Sequence, residues 1–369
     1  MSEKTEMNLF MGPQHPAMHG LWAMRLILDG ETVLDADAVM GYLHRGYEKL
    51  LQNRQYEQGI PLVDRLCYVE SMNWSLAYAH AIEGIFEVEI PDKAKAIRII
   101  ASELQRLASH SLWLAAMAAD LGQLAMLVLP MNAREYILKL FEMMTGARMT
   151  YNLARIGGVA KDLPPHFASA LERTLEDFHH KYGEFFDMLD ESQIWRMRTE
   201  GVGILSKEQA IEWGTTGPVL RASGVPYDIR KVEPYWGYEK MKFKVITRTV
   251  GDSFARFRQR LDELEESIKI IYQALDWYHE FRDSDPHRLD KIPKRPPAGK
   301  KVYRRIEAAR GEAGFYIESD GSLQPKRVRI QSPTFKNLYA LPILVKNQKL
   351  ADIPAIMGTI DLCVGDLDR

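Results

Sequence analysis

Residues 91–129 read PDKAKAIRIIASELQRLASHSLWLAAMAADLGQLAMLVL, the longest stretch of helical periodicity in the chain. Pro91-Asp92 opens a helix that the pattern carries to about Leu129. At 100° per residue Glu103, Arg106, His110, Trp113, Met117 and Asp120 share one stripe, and Leu104, Leu107, Ser111, Leu114, Ala118 and Leu121 the next. Charges beside Trp113 and Met117 with an apolar face adjoining describe either a buried polar column or an exposed stripe with two apolar interruptions. Leu112 to Leu129 approaches the length of a membrane span, but Asp120, Gly122 and Gln123 near its middle favour a buried helix.

Working outward, Arg65-Leu66-Cys67-Tyr68-Val69-Glu70 begins a second helix, running to about Glu83 with Gly84 as its stop. Before it, residues 9 to 47 form a small β region: the loop Gly12-Pro13-Gln14-His15-Pro16-Ala17-Met18-His19-Gly20, a strand Trp22 to Leu28, a turn at Asp29-Gly30 and a strand Thr32 to Met40. Two histidines in so constrained a loop suggest a metal site, a proton donor or simple turn chemistry. Gly41 to Lys49 crowds aromatic and charged side chains, as a helix start or as a contact surface for a charged or redox-active partner.

Towards the C-terminus, Ala133 to Thr145 is a helix ending near Gly146, and Arg155 to Gly158 a loop. Phe167 to Leu189 is an outer helix, and Val250 to Trp277 a helix whose Glu263, Glu265 and Glu266 against Arg256, Arg258 and Arg260 give a mostly solvated face. The proline-rich, basic stretch 283–301 is a linker or an extended crossing. Val302 to Ile306, Gly314 to Ser319 and Arg327 to Ser332 alternate as strands, with a hairpin turn at Asp320-Gly321. The expected fold is α+β: an N-terminal β region over 1–60, a helical bundle core over 61–282, and a linker with a C-terminal β region closing onto the bundle over 283–369.

Lys and Arg number 48 against 50 Asp and Glu, so no basic footprint marks a nucleic-acid binder. No Walker loop or dinucleotide fingerprint is present. Met1 to Asn8 has no apolar core of a secretory signal. Cys67 and Cys363 are the only cysteines, too few for an iron–sulfur cluster and consistent with a reducing compartment. They share a spacing, Arg65-x-Cys67-x-x-Glu70 and Asp361-x-Cys363-x-x-Asp366, which sets a thiol three residues from a carboxylate. A two-thiol, two-carboxylate metal site is chemically possible; two small buried hydrophobes is the plainer account.

These two segments resemble the ends of the [NiFe] hydrogenase large subunit, with Glu70 and Asp366 standing where that family has a second cysteine. Nickel needs soft thiolates, and losing two of four should abolish the centre. The related scaffold without nickel is the quinone-reducing, hydrogenase-like D subunit of complex I and its archaeal deazaflavin dehydrogenase relatives, and the chain resembles it nearly end to end. The matching stretches are Gly12 to Gly20, Gly41 to Lys49, Glu103 to His110, Arg155 to Val159, Leu220 to Gly224, Ala309-Arg310-Gly311-Glu312, Ser332-Pro333-x-Phe335 and Gly365-Asp366-x-Asp368-Arg369.

The resemblance implies a [NiFe] hydrogenase large-subunit-like fold and a site where quinone or methanophenazine is reduced, with His19 and Tyr68 bracketing the headgroup and Asp120 partnering the histidine. It sets the metal option for the opening loop aside and leaves His15 structural. It implies no cofactor bound by this chain alone, and electrons from a [4Fe-4S] cluster in an adjoining small subunit beside Arg45, with His44 and Arg148 on the same surface. Other peripheral and membrane subunits, coupling to ion translocation, a place on the cytoplasmic face of the membrane, and NADH, reduced deazaflavin or ferredoxin as donor belong to the same expectation. Two departures stand out. Thr150 follows Arg148-Met149 where many members have histidine, which implies a lower, less pH-dependent cluster potential and a low-potential acceptor. The stretch Pro293 to Tyr303 is short, as in relatives fed by deazaflavin or ferredoxin. The alternatives are a hydrogenase-type large subunit with an altered metal site at Cys67, Glu70, Cys363 and Asp366, and a non-catalytic assembly subunit.

Overall fold

The computed structural model describes residues 6–14, 20–287 and 292–369. Its axis is helix α4, Asp92–Asp120, flanked along its length by α5, Ala125–Thr145, and by α11, Ser253–Glu280. Both stripes of α4 are buried up to Ala118: Glu103, Arg106 and His110 are fully enclosed, as are Leu104 and Leu107, while Asp120 and Leu121 at the end are half-buried. The charged stripe is therefore a buried polar column. Trp113 donates from Nε1 to the carbonyl of Gly358 at 2.6 Å, tying α4 to α14, Ile353–Ile360.

Four helix boundaries differ from the periodicity. The long helix ends at Asp120, the chain turns at Leu121–Gly122, and α5 begins eight residues before Ala133. The run Leu112 to Leu129 is thus two helices, and Leu124 and Val128 at the start of the second are exposed. Leucine-rich sequence on both sides of the break hid it. Residues 65–70 form turns, and the helix α3 starts at Ser71 and runs through Gly84 to Phe86, where Glu87 in the left-handed region ends it. Arg155 to Gly158 is a tight pair of two-residue strands, β4 Ala154–Arg155 and β5 Gly158–Val159.

The solvated face expected of α11 is a second correction. Arg256, Arg260, Glu263 and Glu266 are buried, while Arg258 and Glu265 lie at or nearer the surface. Charge patterning reads one helix alone, and the partners come from elsewhere. Arg221 donates to both oxygens of Glu263, at 2.6 and 3.0 Å. Arg256 donates from Nε to Thr359 Oγ1 at 3.0 Å.

At the N-terminus β1 Glu6–Met11, β2 Ala23–Asp29 and β3 Thr32–Val39 make an antiparallel sheet in the order β1-β2-β3. The strand β1 is not anticipated by the alternation of its residues. Met24, Leu26 and Leu28 alternate onto the buried face of β2, as strand periodicity requires. They meet the C-terminal helices α12 Pro333–Leu338, α13 Leu341–Val345 and α14 in one apolar cluster. The second sheet, β6 Lys301–Ala308, β7 Gly311–Glu318 and β8 Arg327–Gln331, lays Phe315 edge-on to Trp74 and Tyr78 of α3. Helices α1 Tyr47–Gln52 and α2 Ile60–Val63 join the first sheet to α3; α6 Phe167–Asp190 packs outside α5. Short helices α7 Gln193–Thr199, α8 Lys207–Glu212, α9 Gly217–Ala222 and α10 Ile229–Val232 fill the glycine-punctuated region before α11, and α15 Val364–Leu367 ends the fold.

The polar column is neutralised at Glu103. Its carboxylate accepts from Arg106 Nε at 3.1 Å, Arg230 Nη1 at 3.0 and 3.1 Å, Tyr238 Oη at 2.7 Å and Ser267 Oγ at 2.8 Å. Burial alone would raise its pKa; Arg106 and Arg230 outweigh burial and hold it down to about 2. Removing this carboxylate takes from buried Arg106 its paired carboxylate and from buried Arg230 one of its two, so Glu103→Ala should cost about 3–5 kcal/mol by chemical denaturation. A loss under about 1 kcal/mol, the range of exposed pairs, would contradict this reading. Because the folded pKa is depressed, the carboxylate's contribution is present above the ordinary glutamate value of about 4.5 and is lost as pH falls towards about 2. Acid titration of stability should therefore be shallower across that window in Glu103→Ala than in the natural chain.

Candidate functional site

Three segments distant in sequence are laced together at one end of the bundle. Asp368 accepts from the backbone N–H of Gly41 at 3.0 Å and of Leu43 at 2.8 Å, and the Nδ1 of His44 lies 2.6 Å from its carbonyl oxygen. Arg45 donates to the carbonyls of Arg65 at 3.2 Å, Leu66 at 3.1 Å and Gly365 at 3.0 Å, and its guanidinium rests over the Tyr47 ring. Gly365 is required here: a Cβ would stand 2.4 Å from the Leu66 carbonyl oxygen and 3.0 Å from Arg45 Nη2. Residues 41–45, the turn 64–70 and the C-terminal segment 361–368 thus form one unit.

Inside it the two spaced motifs meet. Ligand-type atoms of Cys67, Cys363 and Asp366 all lie within 4.8 Å of one another, and all three residues are buried. Arg310, in the turn between β6 and β7, supplies the cation. Its Nη2 donates to Asp361 Oδ1 at 2.8 Å, its Nε to the Asp361 carbonyl at 2.9 Å, and its Nη1 lies 3.7 Å from Cys67 Sγ. The backbone N–H of Arg310 donates to Glu70 at 3.0 Å, and its side chain pairs with the same carboxylate at 3.4 Å. Asp366 accepts from Ser332 Oγ and from Thr334 Oγ1, each at 3.0 Å. Burial raises Glu70 to about 7 against the pull of Arg310, raises Asp366 to about 6, and lifts the Cys67 thiol further with Cys363 beside it. This donor set does not fit a four-thiolate nickel centre: two positions are carboxylates, the Asp366 oxygens are engaged by hydroxyls, and a guanidinium faces the thiol.

Tyr68 caps this cluster and is 53 % exposed. Desolvation of the ring's inner side raises its pKa, with Cys363 and Cys67 adding to the rise and Arg310 opposing it. The phenol therefore keeps its proton at neutral pH and can donate a hydrogen bond. Gly20, the last residue of the opening loop, presses on Val364, where a Cβ would fall 2.7 Å from the valine side chain. The foot of the loop thus sits on the segment that carries Cys363 and Asp366.

His15 and His19 lie outside the described residues. Asp120 is half-buried at the C-terminal end of α4. Arg148 is exposed and donates to Glu135 at 2.6 Å. His44 and Arg45 stand together on the surface next to the turn that carries Tyr68, and no hydrogen bond joins Arg148 to them among the described residues. Arg310 and Asp368 were not singled out from sequence, although both fall in matching stretches, which was the available signal. A cavity of about 730 Å³ lies elsewhere, lined by Tyr56, Glu57, Asn152, Arg155, Ile292 and Lys294 among others, and does not touch Tyr68. Among the described residues no helix is long and apolar enough to cross a membrane.

A family model described as the respiratory-chain NADH dehydrogenase, 49 Kd subunit, matches residues 120–295 and 289–369. The D subunit of the NADH-quinone oxidoreductase of Desulforamulus reducens is 46 % identical over 371 residues, covering all of both chains. The D subunit of the F(420)H(2) dehydrogenase of Methanosarcina mazei is 42 % identical over 372 residues, covering 100 % of this chain and 99 % of that one. A chain from the membrane-bound sulfane sulfur reductase, an archaeal respiratory membrane complex, superposes with a TM-score of 0.93 at 34 % identity over the whole of both chains. The hydrogenase-like α+β architecture, the end-to-end motif order and these similarities agree, and the chain belongs to the 49 kDa family, the D subunits of complex I-type respiratory oxidoreductases.

Proposed function

We propose that this chain forms, with an iron–sulfur small subunit, the site at which a lipid quinone or methanophenazine is reduced, on the cytoplasmic face of a membrane complex whose other subunits couple the reaction to ion translocation. The donor upstream is NADH, reduced deazaflavin or ferredoxin. The observation that carries the reading is Tyr68: a half-exposed phenol that stays protonated, set over a buried cluster whose C-terminal segment also meets Gly20 at the foot of the opening loop.

Quinone reduction adds two electrons and two protons, and negative charge develops on the carbonyl oxygens as the electrons arrive. Tyr68 Oη donates to one of these oxygens, which a phenol with a raised pKa does without ionising first. His19, by resemblance, addresses the other and draws its proton past Asp120. The [4Fe-4S] cluster of the small subunit supplies the electrons. Arg45 holds a fixed positive charge on the docking face because three carbonyls and the Tyr47 ring fix its guanidinium. With His44 and Arg148 it offers that partner a basic surface.

Tyr68→Phe keeps the ring and removes the donor, so turnover of the intact complex with a short-chain quinone analogue should fall about tenfold or more, about 1.4 kcal/mol of barrier or above. Unchanged turnover would favour a non-catalytic assembly role. Metal analysis of the purified complex should find no stoichiometric nickel, because Arg310, Glu70 and Asp366 shape the buried cluster for protons and ion pairs; one nickel per chain would restore the hydrogenase alternative.

A further inference from the structure

We propose that Cys67 and Cys363 are a redox modification site, at which a hydroperoxide closes the two thiols into a reversible disulfide beneath Tyr68. Closure needs these residues alone; its effect on turnover rests on the reading that Tyr68 addresses the quinone.

The chain has two cysteines, both free thiols, and they come from opposite ends of the sequence. Their sulfurs lie within 4.8 Å of each other and of a carboxylate oxygen of Asp366. A disulfide brings its sulfurs to about 2 Å, a gap that side-chain rotation and a small backbone shift can close. The local structure permits that shift. Cys67 sits in the turn 64–70, and Cys363 lies in extended backbone just before α15, so neither belongs to a helix or a strand. The two segments are nevertheless held together: Arg45 Nη2 donates to the carbonyl of Leu66 at 3.1 Å and to that of Gly365 at 3.0 Å. The guanidinium thus staples the residue before one cysteine to the second residue after the other. Such fixed proximity turns a reaction between two thiols into an intramolecular step.

Burial keeps the Cys67 thiol protonated at rest, so the pair is no general nucleophile. Two neighbours supply what the closing reaction needs. Arg310 Nη1 lies 3.7 Å from Cys67 Sγ and favours its thiolate, and Asp366, oriented by Ser332 and Thr334, accepts the proton that thiol gives up. Cys363 keeps 3 % exposure where Cys67 has none, so a small peroxide meets Cys363 first. Its Sγ attacks one peroxide oxygen: an S–O bond forms, the O–O bond breaks, and the thiol proton leaves with the departing oxygen as water or an alcohol. Cys67 Sγ then attacks Cys363 Sγ; the S–S bond forms, the S–O bond breaks, and hydroxide leaves as water with the proton of Cys67 passed on by Asp366. The thiols have lost two electrons and the hydroperoxide has gained them. A small dithiol reverses the closure, returning two electrons and two protons. Tyr68 follows Cys67 directly, and of the charged groups around its phenol Cys363 acts on it most. Drawing Cys67 Sγ away from Arg310 towards Cys363 turns the backbone that carries Tyr68 and takes the phenol out of its donating position.

The test treats the intact complex with hydrogen peroxide, alkylates free thiols in denaturant, and maps the peptides by mass spectrometry without reduction. The peptides carrying Cys67 and Cys363 are expected to be joined, to separate with dithiothreitol, and to stay separate in Cys67→Ser. Both cysteines alkylated after treatment, or carried to sulfinic and sulfonic acids with no joined peptide, would overturn the proposal. Should Cys67→Ser not assemble, the joined peptide of the natural complex decides. Turnover with a short-chain quinone analogue is expected to fall on closure by as much as in Tyr68→Phe and to return with dithiothreitol. A loss that dithiothreitol does not restore, or that is equal in Cys67→Ser, would overturn the effect on Tyr68. So would full turnover of the joined form where Tyr68→Phe lowers it. If neither closure nor Tyr68→Phe changes turnover, the quinone reading fails, and the joined peptide alone upholds the modification site.

Discussion

The burial of Glu103 at the middle of α4 is the constraint on which the rest of the structure depends. A carboxylate there must be matched, and the match comes from Arg106 one turn on, Arg230 of the short helix α10, Tyr238 and Ser267. Arg230 is in turn clamped by Asp228 at 2.6 Å, and Arg221 links Glu263 at 2.6 Å to Glu307 at 2.7 Å. The network joins α4, the region of short helices, α11 and the C-terminal sheet. A network of this kind adds little over an apolar core in free energy, but it permits one registration of its elements and penalises others.

That registration sets the site. With α4 and α14 joined through Trp113 and Gly358, the chain after Ile360 emerges beside the turn 64–70. The left-handed Asp361 then turns the backbone so that Cys363 and Asp366 face Cys67, and Arg310 fills the charge between them. His110, buried on the same column with neither ring nitrogen bonded, is held neutral by burial and by Arg260 and Arg106. The cluster below Tyr68 is thus a continuation of the core's ionic system, brought close to the surface at one end of the bundle.

Much of this was legible in the residues. The α4 stripe, the β2–β3 hairpin with its Asp29-Gly30 turn and the Gly146 stop followed from periodicity and turn chemistry. The shared spacing of Cys67 and Cys363 raised the option of a common site, with two buried hydrophobes as the plainer account; the fold brings the two thiols together. The solvated face assigned to α11 was wrong because the partners of Arg256 and Glu263 lie far away in sequence, at Thr359 and Arg221, where no helical rule looks. The end of α4 at Asp120 was missed because leucine and methionine continue past Gly122 on a face that is exposed in this chain. Arg310 carried no local pattern: its importance arises only when the β6–β7 turn is placed against Cys67, Glu70 and Asp361.

The proposed function places quinone chemistry at the junction of residues 41–45, 64–70 and 361–368 rather than at the cavity lined by Tyr56, Arg155 and Lys294. Photoaffinity labelling of the intact complex with an azido-quinone, followed by peptide mapping, separates the two most directly. The label should fall on the peptide that carries Tyr68 and be displaced by excess quinone. Displaceable label confined to the peptides of Tyr56, Arg155 or Lys294 would contradict it.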